Sequence, residues 1–323
     1  MKREGVAVID FGGQYAHLIS RRIRDLGVYA EIVPFWRWEE VVEDPLVKAV
    51  VLSGGPSSVY DETAPQLPAE FFSRVSKPVL GICYGAQLMA HLLGGRVGPA
   101  PGGEYGRTKL VVRKPEPLFA GTPNEQDVWM SHGDQVLELP TGFEVSASTK
   151  HCPLAAFQKE QLLFGVQFHP EVAHTEFGIT ILKNFIFGVA DAQANWNITD
   201  YVSEAVREIR ETVGENGMVL GALSGGVDSA VAAVLTHRAL GCGRLQCLYI
   251  DTGLQRAEDE AHVRNLGKHL GLRVKVVDAK QRFLEALDGV VDPEEKRKII
   301  GNLFIEVFEE EAQNLGHFDF LLQ

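Results

Sequence analysis

The stretch Val79-Leu80-Gly81-Ile82-Cys83-Tyr84-Gly85-Ala86-Gln87 decides how this chain folds. Its first four residues form an apolar run of strand length, and the segment that follows (Gln87, Leu88, Met89, His91, Leu92, Leu93) has helical periodicity. Strand, sharp turn and helix succeed one another without a spacer. Gly81 and Gly85 stand two residues to either side of Cys83, where a missing Cβ lets the backbone turn tightly. Cys83 is therefore expected at the carboxyl edge of a sheet and the positive end of a helix. A cysteine serves there as a nucleophile rather than as a small core residue.

The same alternation extends outward. Residues 5–9 read as a buried strand, 14–26 as an amphipathic helix closed by Gly27, and 28–33 as a second strand. A third apolar run, 48–52, enters Ser53-Gly54-Gly55-Pro56-Ser57-Ser58, whose glycines let backbone N–H groups turn toward one point. This order predicts an α/β domain with a doubly wound, mostly parallel sheet and ligands beyond the carboxyl ends of its strands. Between residues 109 and 167 the runs become short and alternating (110–112, 128–130, 143–145, 162–166), which predicts an added antiparallel section. That section ends in Gly165-Val166-Gln167-Phe168-His169-Pro170-Glu171. Residues i and i+2 of an extended segment face one way, so His169 and Glu171 can act together. A triad needs an imidazole to take the thiol proton and a carboxylate to orient that imidazole.

Residues 191–200 are polar and interrupt the periodicity, which sets the expected domains at 1–192 and 200–323 with a linker at 193–199. Beyond it, a helix leads to an apolar strand at 218–223, then to Ser224-Gly225-Gly226-Val227-Asp228-Ser229, then to a helical run at 230–240. Strand, glycine loop and helix make an anion cradle. The loop lacks both the G-x-x-x-x-G-K-[ST] and the G-x-G-x-x-G pattern. Strands at 245–250 and 273–277 complete a second doubly wound parallel sheet. Asp292 and Pro293 mark a helix start, and 317–323 reads as a final strand.

A chain of 323 residues exceeds one ordinary core, and its net charge of −12 argues against a nucleic-acid or membrane-surface partner. The four cysteines form no C-x-x-C pair and no metal-ligand spacing, and no apolar run is long enough for a signal peptide or a membrane span. A reducing, cytoplasmic setting is expected.

The motif around Cys83, with Phe168-His169-Pro170-Glu171, resembles the class I glutamine amidotransferases. Asp10-Phe11-Gly12-Gly13-Gln14-Tyr15 and Trp129-Met130-Ser131-His132-Gly133-Asp134 narrow the resemblance to the glutamine-hydrolysing GMP synthases. The resemblance implies a glutamyl thioester on Cys83, acid and base work by His169, and orientation by Glu171. It implies an oxyanion hole from backbone N–H groups at Gly55 and Tyr84, and glutamine binding by Gln87, Ser131, His132 and Asp134. Gly13 stands where that family more often has Ser.

The loop Ser-Gly-Gly-Val-Asp-Ser (224–229) resembles the signature of the ATP pyrophosphatases. On that resemblance Ser224, Gly225, Gly226 and Ser229 hold the pyrophosphate end of ATP and Asp228 binds Mg²⁺, while Val227 belongs to the same ATP-binding loop and Gly221, Ala222 and Leu223 lie near the nucleotide. Residues 292–301 are similar to the family's lid over that site; Thr252 and Asn302 depart from its pattern. The substrates implied are glutamine, ATP and xanthosine monophosphate (XMP), giving GMP, AMP and pyrophosphate. Family members continue past a point corresponding to residue 323 into a dimerisation domain, so the second domain is expected to be incomplete and the whole protein a homodimer. Two alternatives remain: a glutaminase or nucleotide-binding module without net synthesis, and a related ATP-dependent amidotransferase.

Overall fold

In the first strand, β1 (Gly5–Asp10), successive residues enter different cores. Val6 and Val8 pack with Ile19 and Ile23 of α1 (Ala16–Asp25), whereas Ala7 and Ile9 join a cluster on the opposite face. A strand covered on both sides reads as an unbroken apolar run, because alternation no longer separates core from solvent. After β2 (Tyr29–Pro34) and α2 (Trp38–Glu43), β3 (Val47–Leu52) repeats the division, with Val51 on one face and Val50 and Leu52 on the other. Phe71 of α3 (Glu70–Arg74) and Leu88 and Met89 of α4 (Tyr84–Leu92) fill the second cluster, with β4 (Val79–Ile82) between these helices in sequence. Each fully buried aliphatic side chain contributes about 1.5–3 kcal/mol, so the two-faced pattern fixes the layer order. The structure, a computed structural model, describes residues 1, 3–256 and 258–322, and the side chains of residues 101, 198 and 200 lie outside that description.

The sheet continues through β5 (Arg96–Val112), β6 (Glu125–Glu138), β7 (Glu144–Ser148), β8 (Ala156–Lys159) and β9 (Leu163–Val166), followed by α5 (Gly178–Lys183), which runs on into a π-helical segment, Asn184–Val189. The strand order is β2-β1-β3-β4-β9-β8-β7-β5-β6. The pairings from β2 to β9 are parallel, and those beyond β9 are antiparallel. In β9 the structure refines the expectation of a wholly antiparallel section. This strand pairs antiparallel with β8 but parallel with β4, with Gly165 opposite Gly81 and Val166 opposite Ile82. The chain returns to the sheet centre beside the Cys83 turn, which brings the segment after Val166 to the same edge.

The chain divides into two units, Met1–Asn197 and Ile198–Gln323. The second comprises α6 (Ile198–Val213), β10 (Val219–Leu223), α7 (Val227–Leu240), β11 (Leu245–Asp251), α8 (Asp259–Leu270), β12 (Arg273–Asp278), α9 (Lys280–Ala286), α10 (Pro293–Leu315) and β13 (Phe320–Leu322). Its sheet, ordered β12-β11-β10-β13, is parallel throughout. Helix α10 starts as its sequence directs: the Glu295 N–H donates to Asp292 Oδ1 at 2.8 Å, and Pro293 occupies the first turn. Among the described residues no helix is long and apolar enough to cross a membrane.

Candidate active site

Cys83 sits between β4 and α4 with φ +50° and ψ −107°, a conformation that costs a non-glycine residue of order 1–3 kcal/mol. Packing on both flanks holds it there. A Cβ on Gly85 would lie 2.4 Å from the Leu52 carbonyl oxygen, and one on Gly81 would lie 2.6 Å from the Ala86 nitrogen. Hydrogen bonds from Cys83 N–H to Val166 O (2.8 Å) and from Gly85 N–H to Ser53 O (3.0 Å) tie the turn to β9 and to the end of β3. The Tyr84 N–H lies in the first turn of α4, where helical N–H groups have no intrahelical acceptor.

The return from β9 delivers His169 and Glu171. His169 Nδ1 pairs with Glu171 Oε1 at 2.8 Å, and the ring stands beside Cys83: a Cβ on Gly54 would lie 3.2 Å from His169 Cε1 and 3.9 Å from Cys83 Cβ, while the thiol donates to Ser131 O at 3.7 Å. The segment is fixed from behind: His169 N–H donates to Trp129 O at 3.0 Å, the Thr175 hydroxyl donates to His169 O at 2.6 Å, and Arg22 Nε donates to Glu171 O at 3.0 Å. Tyr15 packs edge-on against the imidazole at 5.1 Å between ring centroids. Burial works to push the His169 imidazole down, but the Cys83 and Glu171 side chains beside it outweigh that and raise the group to about 10. Glu171 is fully buried, and its Oε2 has no hydrogen-bond partner among the described residues.

A cavity of about 510 Å³ opens above the sulfur, lined by Gly55, Tyr84, Gln87, Ser131, His132 and Asp134 together with Cys83 and His169. The structure thus brings together the residues expected for the oxyanion hole and for glutamine. Gly55 is confined: a Cβ there would sit 3.1 Å from the Tyr84 ring and 3.2 Å from Phe11 O. Gln87 Nε2 donates to Asp134 O at 2.7 Å and to Gln167 Oε1 at 3.2 Å, and Gln167 Nε2 lies 3.6 Å from Cys83 Sγ. The Asp134 carboxylate accepts from the hydroxyls of Ser58 and Tyr60. Sequence reasoning assigned no role to Tyr15, Tyr105 or Gln167. Gln167 was within reach, because it precedes His169 by two residues on one strand face; Tyr105 comes from β5 through long-range pairing.

In the second unit, β10 ends at the loop 224–229. Gly225 takes φ +83°, in the left-handed region, and the first turn of α7 carries Asp228. The loop is braced by its own hydroxyls: Ser224 Oγ and Ser229 Oγ are 3.1 Å apart, and Ser229 Oγ donates to Gly226 O at 3.1 Å. Ser224, Gly226, Val227 and Asp228 are exposed, whereas Gly221 and Leu223 are buried, Leu223 in the unit's core cluster. Leu223 is therefore placed to meet a ligand through its backbone only. Thr252 is buried and donates its hydroxyl to Gln255 Oε1 at 2.9 Å.

Comparison with known proteins covers both units. The family model described as glutamine amidotransferase class-I matches residues 7–189, and one described as NAD synthase matches residues 197–304. GMP synthase (glutamine-hydrolyzing) of Aquifex aeolicus is 51% identical over all of this chain and 63% of its own length. That of Bacillus subtilis is 49% identical over 99% of this chain and 62% of its own. The chain thus spans somewhat less than two thirds of these relatives. A solved structure from Thermoplasma acidophilum, described provisionally as one subunit of a GMP synthase, is 32% identical with a TM-score of 0.53, covering 65% of this chain and 99% of that one.

Proposed function

The chain belongs to the class-I glutamine amidotransferase family, and on that premise we propose that it hydrolyses glutamine at Cys83 to supply ammonia for GMP synthesis. The observation that carries the first half is the His169–Glu171 contact at 2.8 Å beside a cysteine held at φ +50°. His169 takes the thiol proton, and the sulfur adds to the amide carbon of glutamine. The oxygen that becomes negative accepts from the Gly55 and Tyr84 N–H groups. His169 then returns the proton to the departing nitrogen, so ammonia leaves and a glutamyl thioester remains. Water, deprotonated by the same imidazole, releases glutamate and restores the thiol. Throughout, Glu171 accepts from Nδ1–H and so keeps Nε2 turned to the sulfur. Gln87, Ser131, His132 and Asp134 hold the glutamine.

The second half rests on near-50% identity to GMP synthases along the whole chain and on the exposed cradle 224–229. The XMP carbonyl oxygen attacks the ATP α-phosphorus and pyrophosphate leaves; ammonia then adds to the activated carbon and AMP departs. Adenylylation makes a poor leaving oxygen a good one. Ser224, Gly225, Gly226 and Ser229 hold the pyrophosphate end, their N–H and hydroxyl groups facing an anion at a helix start. The residues fit Mg²⁺ as well: Asp228 offers an exposed carboxylate on the turn that follows the glycines, and a hard cation there neutralises phosphate charge. Four free cysteines accord with a reducing cytoplasmic setting.

The test measures ammonia release from glutamine by this chain and by Cys83→Ala, and XMP-dependent pyrophosphate release by a chain of the relatives' full length. The reading requires glutamine turnover that Cys83→Ala abolishes and pyrophosphate release that needs XMP. Turnover surviving Cys83→Ala removes the first half, and pyrophosphate release indifferent to XMP removes the second.

A further inference from the structure

Behind the wall of the glutamine pocket the fold gathers three side chains that are far apart in sequence: Glu104 of β5, His132 of β6, and Cys152 from the connection between β7 and β8. One ligand-capable atom of each lies within 4.8 Å of the other two, and all three residues are buried. Strand register produces the pair, since Glu104 faces His132 across the β5–β6 ladder.

His132 and Glu104 are each oriented by another partner. His132 Nδ1 lies 2.9 Å from the Asp134 carbonyl oxygen; a carbonyl only accepts, so Nδ1 carries the proton and Nε2 presents a lone pair. That Nε2 is buried without a hydrogen bond among the described residues, 3.5 Å from Glu104 Oε2. The Thr149 hydroxyl donates to the Glu104 carboxylate at 2.9 Å and accepts from the Cys152 N–H at 2.9 Å, which ties the cysteine's backbone to the same group. A lone pair facing a carboxylate in a low-dielectric interior sets two acceptors against each other, and a cation between them removes the conflict.

We propose that Glu104, His132 and Cys152 form a binding site for Zn²⁺ that restrains the glutamine pocket. The donor set suits that ion, whose ligands are imidazole, thiolate and carboxylate at about 2.0–2.3 Å, with three protein ligands leaving a fourth position for water. Tetrahedral bonds of that length set ligand atoms about 3.3–3.8 Å apart, so the cluster closes by side-chain rotations of about 1 Å. A carboxylate and a thiolate neutralise the dication. The partners of His132 and Glu104, at Asp134 and Thr149, are outer hydrogen bonds of the kind metal ligands characteristically carry. Burial, reinforced by the Glu104 charge, pushes the Cys152 thiol up to about 12, so the ion enters by releasing that proton to solvent. His132 also lines the cavity above Cys83, which places the cluster one side chain behind that cavity.

The restraint follows from connectivity and rests on the proposed glutaminase reading. The Asp134 carbonyl accepts from both His132 Nδ1 and Gln87 Nε2, so drawing the imidazole toward a metal displaces the wall that holds glutamine.

The binding test does not depend on that reading. The Cys83→Ala chain, which lacks the nucleophilic thiol, is titrated with Co²⁺. One equivalent should bind with a thiolate-to-cobalt charge-transfer absorption. Adding Cys152→Ser should abolish the absorption with the far-ultraviolet circular dichroism unchanged, and Glu104→Gln in its place should weaken Co²⁺ binding at least about tenfold. Absence of the absorption, or its survival in Cys83→Ala/Cys152→Ser through Cys242 or Cys247, overturns the site. In the chain that retains Cys83, Zn²⁺ should inhibit glutamine hydrolysis, and Cys152→Ser should raise the half-inhibitory concentration at least about tenfold. An unchanged half-inhibitory concentration overturns the restraint. A chain without glutamine turnover that still binds Co²⁺ through Cys152 refutes the functional reading and leaves the site standing.

Discussion

The two units place their candidate sites alike, at the carboxyl edge of a parallel sheet where a strand turns into a helix, yet they build them differently. In the first, Cys83, His169 and Glu171 are all at least nine-tenths buried, and the turn is immobilised by packing on both sides. In the second, the loop 224–229 is largely exposed and held by its own hydroxyls. The difference follows from what each site has to do. A thiol, an imidazole and a carboxylate act on one another over ångströms, so their alignment must exist before substrate arrives. A loop that grips a polyphosphate needs open N–H groups and room for a large anion, and the ligand itself completes its order.

Substitutions in the two sites should therefore fail in different ways. The largest effect belongs to Cys83→Ala, which should lower glutamine hydrolysis by roughly 10⁴-fold or more with the fold intact; a loss under tenfold would detach the elbow from the chemistry. Glu171→Gln should follow with a drop in kcat of about 10²- to 10⁴-fold and little change in KM, measured by steady-state ammonia release. Because the folded state raises His169 from 6.5 to about 10, its cationic form stabilises the fold fully below pH 6.5, and that contribution is lost as pH rises through 10. Urea midpoints should fall over that window, and His169→Gln should flatten the slope.

Glycine substitutions sharpen the contrast in stability. Gly85→Ala, with a Cβ 2.4 Å from Leu52 O, should cost about 1–3 kcal/mol in urea denaturation. Gly226→Ala, with an ordinary φ of −82° and only the Ser224 hydroxyl at 3.3 Å, should change stability by under about 0.5 kcal/mol while weakening ATP binding. A comparably small effect on stability is expected for Asp228→Asn, about 0.3–1 kcal/mol from lost helix-dipole interaction, accompanied by weaker Mg-ATP binding in calorimetry.

These contrasts also show what the sequence could reveal. The elbow was legible because Gly81, Cys83 and Gly85 fall at alternate positions of one five-residue stretch, and the cradle because all its parts lie within 224–229. Asp292 was legible as a cap for the same reason: its partner is three residues away. The placement of β9 was not, since an apolar run of four residues does not say which neighbour it pairs with on either side. Tyr105 in the pocket wall and the Glu104–His132–Cys152 cluster were hidden for a related reason. Their elements meet only through the long β5–β6 ladder and the turn after β7, which local spacing does not encode.

One labelling experiment bears most directly on the idea that geometry, rather than exposure, makes the nucleophile. Cys242 is exposed and Cys83 is buried. Treated with a limiting amount of a glutamine-analogue diazoketone and mapped by peptide mass spectrometry, the chain should carry the label on Cys83, and excess glutamine should protect it. Label found first on Cys242, or on Cys83 without protection by glutamine, would contradict the account.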